Sequence, residues 1–153
     1  MSSEQVYIVD DDPDVREATS FLVTTAGHPA MSFETPEELL ERVSSDSAGC
    51  MILDVRLPGM NGLELQRELA ERDIRLPIIF ITGHGDIPMA VEAVNAGALD
   101  FLEKPFDNDA LLARVEDALQ ADRERRTREA ASADIDQRLE RLTPREHQVM
   151  EGI

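Results

Sequence analysis

Four short apolar runs recur along the chain: Val6-Tyr7-Ile8-Val9, Met51-Ile52-Leu53, Ile78-Ile79-Phe80-Ile81 and Leu99-Asp100-Phe101-Leu102. Three of them are continuous rather than alternating, the pattern of strands covered on both faces of a parallel sheet. A weaker run, Pro29-Ala30-Met31-Ser32-Phe33, supplies a fifth, edge-like strand. The segments between them carry helix start and stop signals. Asp12-Pro13 leads into a helix over 14–27 ending near Gly27, and Thr35-Pro36-Glu37-Glu38 opens one over 36–44. Asn61-Gly62 precedes 62–72, where Leu63, Leu65 and Leu69 fall at near-helical spacing. Asp86-Ile87-Pro88 opens 87–96, which stops at Gly97, and Asp107 caps a helix starting near Asn108. Five alternations of strand and helix specify an α/β fold, a doubly wound five-stranded parallel sheet whose ligands sit beyond the carboxyl ends of the strands.

With 153 residues, 42% of them hydrophobic, the chain suffices for one domain with a real core, or one domain and a short appendage. Runs such as Leu76-Pro77-Ile78-Ile79-Phe80-Ile81 are far too short to cross a bilayer, and no secretory signal opens the chain. The single cysteine, Cys50, forms no internal disulfide, which fits a reducing cytoplasm. A formal net charge of −17 argues against broad binding of nucleic acid or anionic membrane. That charge is unevenly spread: residues 1–119 hold 24 acids against 8 bases, while residues 120–142 are neutral.

From Leu111 the helical pattern continues through Val115, Ala118 and Leu119, then a charged middle from Asp122 to Ala133, then Ile135, Leu139 and Leu142. The middle lacks proline, glycine and any apolar residue larger than alanine. It reads either as one long helix with a solvated centre or as a charged linker. Pairs such as Glu124 with Arg128 favour helix. Thr143-Pro144-Arg145-Glu146 then reads as a fresh helix start.

The first strand ends in Asp10-Asp11-Asp12 and the third in Asp54, so a parallel sheet brings these carboxylates to one edge. Converging carboxylates repel unless a cation neutralises them, and a hard divalent ion, Mg²⁺ or Mn²⁺, suits the oxygens. The fourth and fifth strands add Thr82 and Lys104 at that edge. A metal, a carboxylate, a hydroxyl and an ammonium in one crevice suit a phosphoryl group. Lys104 is the only lysine among 15 basic residues, which fits a need for a compact point charge rather than a guanidinium fork.

Val9-Asp10-Asp11, Leu53-Asp54-Val55-Arg56-Leu57-Pro58-Gly59-Met60-Asn61-Gly62, Ile81-Thr82-Gly83-His84 and Lys104-Pro105-Phe106 together resemble the motif set of a response-regulator receiver domain. The resemblance covers about residues 4–120. It implies the flavodoxin-like strand order 2-1-3-4-5 and phosphoryl transfer from a sensor histidine kinase onto Asp54. It also implies that Asp11, Asp54 and the Arg56 backbone carbonyl bind Mg²⁺ directly, with Asp10 acting through water. Thr82 and Lys104 would hold the phosphoryl group, and the Lys104–Pro105 bond would be cis. Arg56, Gly83 and His84 match tuning positions. Arg56 either shields the phosphoryl group from water or is a solvated surface residue; His84 reads as a surface loop residue, and Gly83 leaves the acceptor open. Phe101 matches the aromatic switch position and reads equally as a core aromatic.

The segment Leu142 to Gly152 resembles the opening helix of a LuxR-type helix-turn-helix effector of the FixJ/NarL regulators. The expected organisation is therefore a receiver over 1–121, a helical linker over 122–141 with an extended C-terminal helix, and an incomplete DNA-binding domain over 142–153. The resemblance further implies phosphorylation-promoted homodimerisation through the face of the fourth helix, fifth strand and fifth helix, with Ile87, Met89, Val91 and Leu111 as candidates, some of which must be core. DNA would be bound only through a full-length effector, and no membrane is involved. The chain is expected to be cytoplasmic and a phosphoacceptor rather than an enzyme, catalysing at most its own phosphorylation and dephosphorylation. A stand-alone receiver or phosphoryl shuttle is the alternative. An aspartate-nucleophile phosphatase would want an acid two residues after Asp54, where Arg56 stands.

Overall fold

A computed structural model describes residues 4–57 and 59–141, without the side chains of His84 and of residues 132–141. Five strands form one parallel sheet: β1 (Glu4–Val9), β2 (Ala30–Phe33), β3 (Ala48–Asp54), β4 (Ile78–Thr82) and β5 (Asp100–Glu103), in the order β2-β1-β3-β4-β5. The intervening helices are α1 (Pro13–Thr25), α2 (Pro36–Arg42), α3 (Gly62–Glu71) and α4 (Ile87–Asn95), and α5 (Asn108–Arg141) follows β5. The fold and the strand order are those expected, with β2 at one edge.

Alternation along the buried strands divides the core between two faces. Tyr7, Val9, Met51, Leu53, Ile78 and Phe80 face one side, with Leu39 of α2, Leu65 and Leu69 of α3, and Ala90 and Ala93 of α4. Val6, Ile8, Cys50, Ile52, Ile79 and Ile81 face the other, with Val23 of α1 and Leu111, Val115, Ala118 and Leu119 of α5. Leu111 is therefore core, and does not belong to a dimer-facing surface: it is fully buried, whereas Val91 is 44% exposed. Ile87 and Met89 are partly buried, and Met89 packs on the first cluster.

The helix starts follow the local chemistry. The side chains of Asp12, Thr35 and Asn61 accept N–H bonds from Asp14, Glu38 and Glu64, and Glu64 completes a capping box. Asp107 accepts the N–H of Ala110 at 3.2 Å. Asp86 differs: it stands at the start of α4 but makes no side-chain cap bond there, and its carboxylate instead accepts the Arg56 Nε–H at 2.7 Å. The helix ends at Gly27 and Gly97 have φ of 98° and 122°, a conformation that costs glycine nothing.

A first compact unit extends to Asp122, and a second begins at Arg123. Asp122 is not part of a solvated helix centre. It is fully buried, and its carboxylate accepts the Gly49 N–H at 2.9 Å at the start of β3. Within the second unit, an (i, i+4) ion pair joins Arg125 to Glu129 at 3.0 Å. The helical effector start read over 142–153 lies outside the described residues.

Candidate functional site at the carboxyl edge of the sheet

Register places the polar residues. Val9 pairs with Leu53, so Asp10 and Asp54 emerge one residue later on neighbouring strands. Asp54 in turn pairs with Ile81, which puts Thr82 beside them, and Thr82 pairs with Glu103, one residue before Lys104. Single strand-end substitutions of polar for apolar residues thus become a cluster through the parallel ladder.

Ligand oxygens of Asp10, Asp11 and Asp54 all lie within 4.8 Å of one another, with Asp11 exposed and the other two buried. Lys104 Nζ lies 3.0 Å from Asp54 Oδ2 and 3.5 Å from Asp10 Oδ2. The Lys104–Pro105 bond is cis, as expected. Burial raises the pKa of Asp10, and the Asp54 charge adds to that, against the Asp12 N–H and Lys104. Burial also opposes the charge on Lys104, but hydrogen bonding and attraction from Asp54 and then Asp10 outweigh it, and its pKa is raised. Three hard oxygen donors with a surplus of negative charge fit a divalent cation that retains part of its water shell.

Main-chain and side-chain donors hold the carboxylates. Asp12 N–H donates to Asp10 Oδ1 at 2.9 Å, and Arg56 N–H to Asp54 Oδ1 at 3.0 Å. Arg16 of α1, which the sequence did not single out, donates from Nη1 to the Asp10 carbonyl at 2.7 Å. Thr82 is fully buried and its hydroxyl donates to the Gly83 carbonyl at 3.1 Å, turned to the neighbouring backbone. Phe101 is partly buried against the first core cluster. A Cβ on Gly83 would meet only Asp86 Oδ2, at 3.7 Å, so the loop beside Thr82 is open. His84 begins a 3₁₀ turn over His84–Asp86, and its side chain is outside the description.

The Arg56 side chain is neither a free surface group nor committed to the carboxylate cluster. Its Nε donates to Asp86 Oδ1 at 2.7 Å, joining the loop after β3 to the loop after β4. No local pattern points to this partner, since Asp86 reads as a helix cap.

The pattern of the response regulator receiver domain matches residues 6–116. The transcriptional regulatory protein FixJ of Bradyrhizobium diazoefficiens is 42% identical over 97% of this chain and 72% of its own length. Nodulation protein W of the same organism is 45% identical over 95% of this chain and 64% of its own length. The chain thus spans about two thirds of the curated relatives it matches. The structure of the response regulator StyR superposes with a TM-score of 0.90 at 43% identity, covering 98% of this chain and 76% of that one.

Proposed function

This chain belongs to the response regulator receiver domain family, and from that premise we propose that Asp54 accepts a phosphoryl group from a phosphohistidine of a sensor histidine kinase. The observation that carries the reading is the convergence of Asp10, Asp11 and Asp54 within 4.8 Å, with Lys104 Nζ 3.0 Å from Asp54. An Asp54 carboxylate oxygen attacks phosphorus while the phosphorus–nitrogen bond breaks and the imidazole keeps the electron pair. Lys104, already charged against Asp54, moves onto a phosphoryl oxygen and balances its charge. The buried Thr82 hydroxyl turns from the Gly83 carbonyl to donate to a second oxygen, with Phe101 free to follow by packing alone. Asp11, Asp54 and the Arg56 carbonyl would hold Mg²⁺ or Mn²⁺, and Asp10 would act through water. The ion, when bound, supplies charge neutralisation for the transferring group.

The output reading is regulatory rather than enzymatic. Two matched relatives are named a transcriptional regulatory protein and a nodulation protein, and StyR is named a response regulator. On this reading the chain dimerises when phosphorylated and controls a LuxR-type DNA-binding domain in the cytoplasm. No helix among the described residues is long and apolar enough to cross a membrane. Incubation with acetyl phosphate and Mg²⁺ should add one phosphoryl group per chain by intact mass, and Asp54→Asn should abolish it. Labelling of that variant at the wild-type level would overturn the assignment.

A further inference from the structure

Helix α4 is tied at both ends to the chain that follows β3. At its end, Gln66 of α3 donates from Nε2 to the Ala93 carbonyl at 2.9 Å. At its start, Arg56 holds Asp86. The Arg56 residue that makes this tie also donates its backbone N–H to Asp54. The pair is lopsided, with the Arg56 side chain 72% exposed and that of Asp86 12% exposed. Moving the guanidinium therefore disturbs little, whereas a released Asp86 carboxylate needs a new donor.

Such a donor lies within its own helix. The caps Asp12, Thr35 and Asn61 all have extended backbone, with ψ of 113°, 154° and 172°, and each accepts an N–H bond. Asp86 occupies the equivalent place with φ −111° and ψ 11° and accepts none. Its own N–H is held by the Gly83 carbonyl at 3.1 Å, within the 3₁₀ turn. Pro88 has no N–H, so the donor that an extended Asp86 would reach is that of Met89, the third helical residue.

We propose that Asp86 is a positioning residue acting through Arg56: it holds the guanidinium until a phosphoryl group on Asp54 draws it away, and then caps α4 at Met89. The inference rests on the reading of Asp54 as the phosphoacceptor. A phosphoryl group brings about −1.5 to −2 charge and three acceptor oxygens, which a guanidinium engages with two donors rather than one. The exchange opens the 3₁₀ turn beside Thr82 and changes the start of α4, so charge at Asp54 is converted into a backbone rearrangement.

Amide exchange at Met89, followed by NMR on the whole chain, separates the states. Without ligand, Arg56→Ala and Asp86→Asn should each slow this exchange at least fivefold, because both free a cap-competent side chain. Asp86→Ala should not slow it, and Asp86→Glu, which restores the pair with Arg56, should keep the wild-type rate. Beryllofluoride with Mg²⁺ should slow Met89 in the wild type and leave Asp86→Ala unchanged. Asp86→Asn should also bind beryllofluoride three- to tenfold more tightly, a gain that vanishes in the Arg56→Ala background. Wild-type exchange in unliganded Arg56→Ala, or slowing of Asp86→Ala by beryllofluoride, would overturn the inference. If no variant bound beryllofluoride while Arg56→Ala still slowed Met89, the Asp54 reading and the phosphoryl-driven exchange would both fall, leaving only a static latch.

Discussion

Asp10 carries the strain of assembling the site. It is buried next to Asp54, and its pKa is raised mainly by that burial. A carboxyl whose folded pKa exceeds its unfolded value of 3.8 binds its proton more tightly when folded. Stability therefore falls as pH rises from below 3.8 through the raised value. Asp10→Asn keeps the acceptor for the Asp12 N–H and removes the charge. It should stabilise the chain at pH 7 by about 0.5–2 kcal/mol in thermal unfolding, with the gain fading below about pH 4 and with weaker Mg²⁺ binding. Lys104 runs the other way: its raised pKa contributes fully below 10.5 and is lost only as pH climbs through the folded value. Asp10, Asp54, Thr82 and Lys104 were legible because a polar residue closes an apolar run, and a parallel ladder gathers such closures at one edge. Arg16 was not, because its bond is to a main-chain carbonyl and leaves no residue pattern.

Elements whose ends are decided locally were readable from composition, and those decided by tertiary contact were not. Asp12-Pro13, Thr35-Pro36 and Asn61-Gly62 mark their helices because each cap bond spans two or three residues. The bond of Asp122 to the Gly49 N–H spans 73 residues, and locally Asp122 looks like one more charge before an arginine-rich stretch. Gly49, the second residue of β3, lies tight against β1: its φ is 128°, and a Cβ would lie 1.8 Å from the Gln5 carbonyl oxygen. The β1–β3 contact thus admits only glycine, and the N–H it exposes needs a buried acceptor. Asp122→Ala strands that donor and should cost about 1–3 kcal/mol, whereas Asp122→Asn keeps an acceptor and should cost less. Gly49→Ala should cost more than either, through strain and clash together, by ~3 kcal/mol or above. Denaturant midpoints in that order check the assignment; equal losses for Asp122→Ala and Asp122→Asn would remove the hydrogen bond as the cause.

For the whole molecule, a charge of −17 bears on association rather than on fold. Two copies meeting face to face must overcome mutual repulsion, and salt screens it within about 8–10 Å at 0.10–0.15 M. A phosphoryl group adds to that repulsion, so a dimer formed on phosphorylation has to gain its stability from apolar contact. Among the proposed contact residues Val91 of α4 offers exposed apolar surface, and Leu111 offers none because α5 spends it on the core. Phe21 of α1 is a competing apolar surface, at 72% exposure. Val91→Glu should therefore weaken the beryllofluoride-induced dimer about 10- to 100-fold at 0.15 M salt, the effect of ~1–3 kcal/mol at a contact. It should leave unfolding within roughly 0.5 kcal/mol of wild type, as surface substitutions do. Leu111→Ala should show the opposite profile, a loss of about 2–5 kcal/mol in stability from the cavity it leaves. Phe21→Glu decides between faces by the mass from light scattering of the same samples. A dimer that survives Phe21→Glu and fails with Val91→Glu lies on α4, and the reverse result places it on α1 instead.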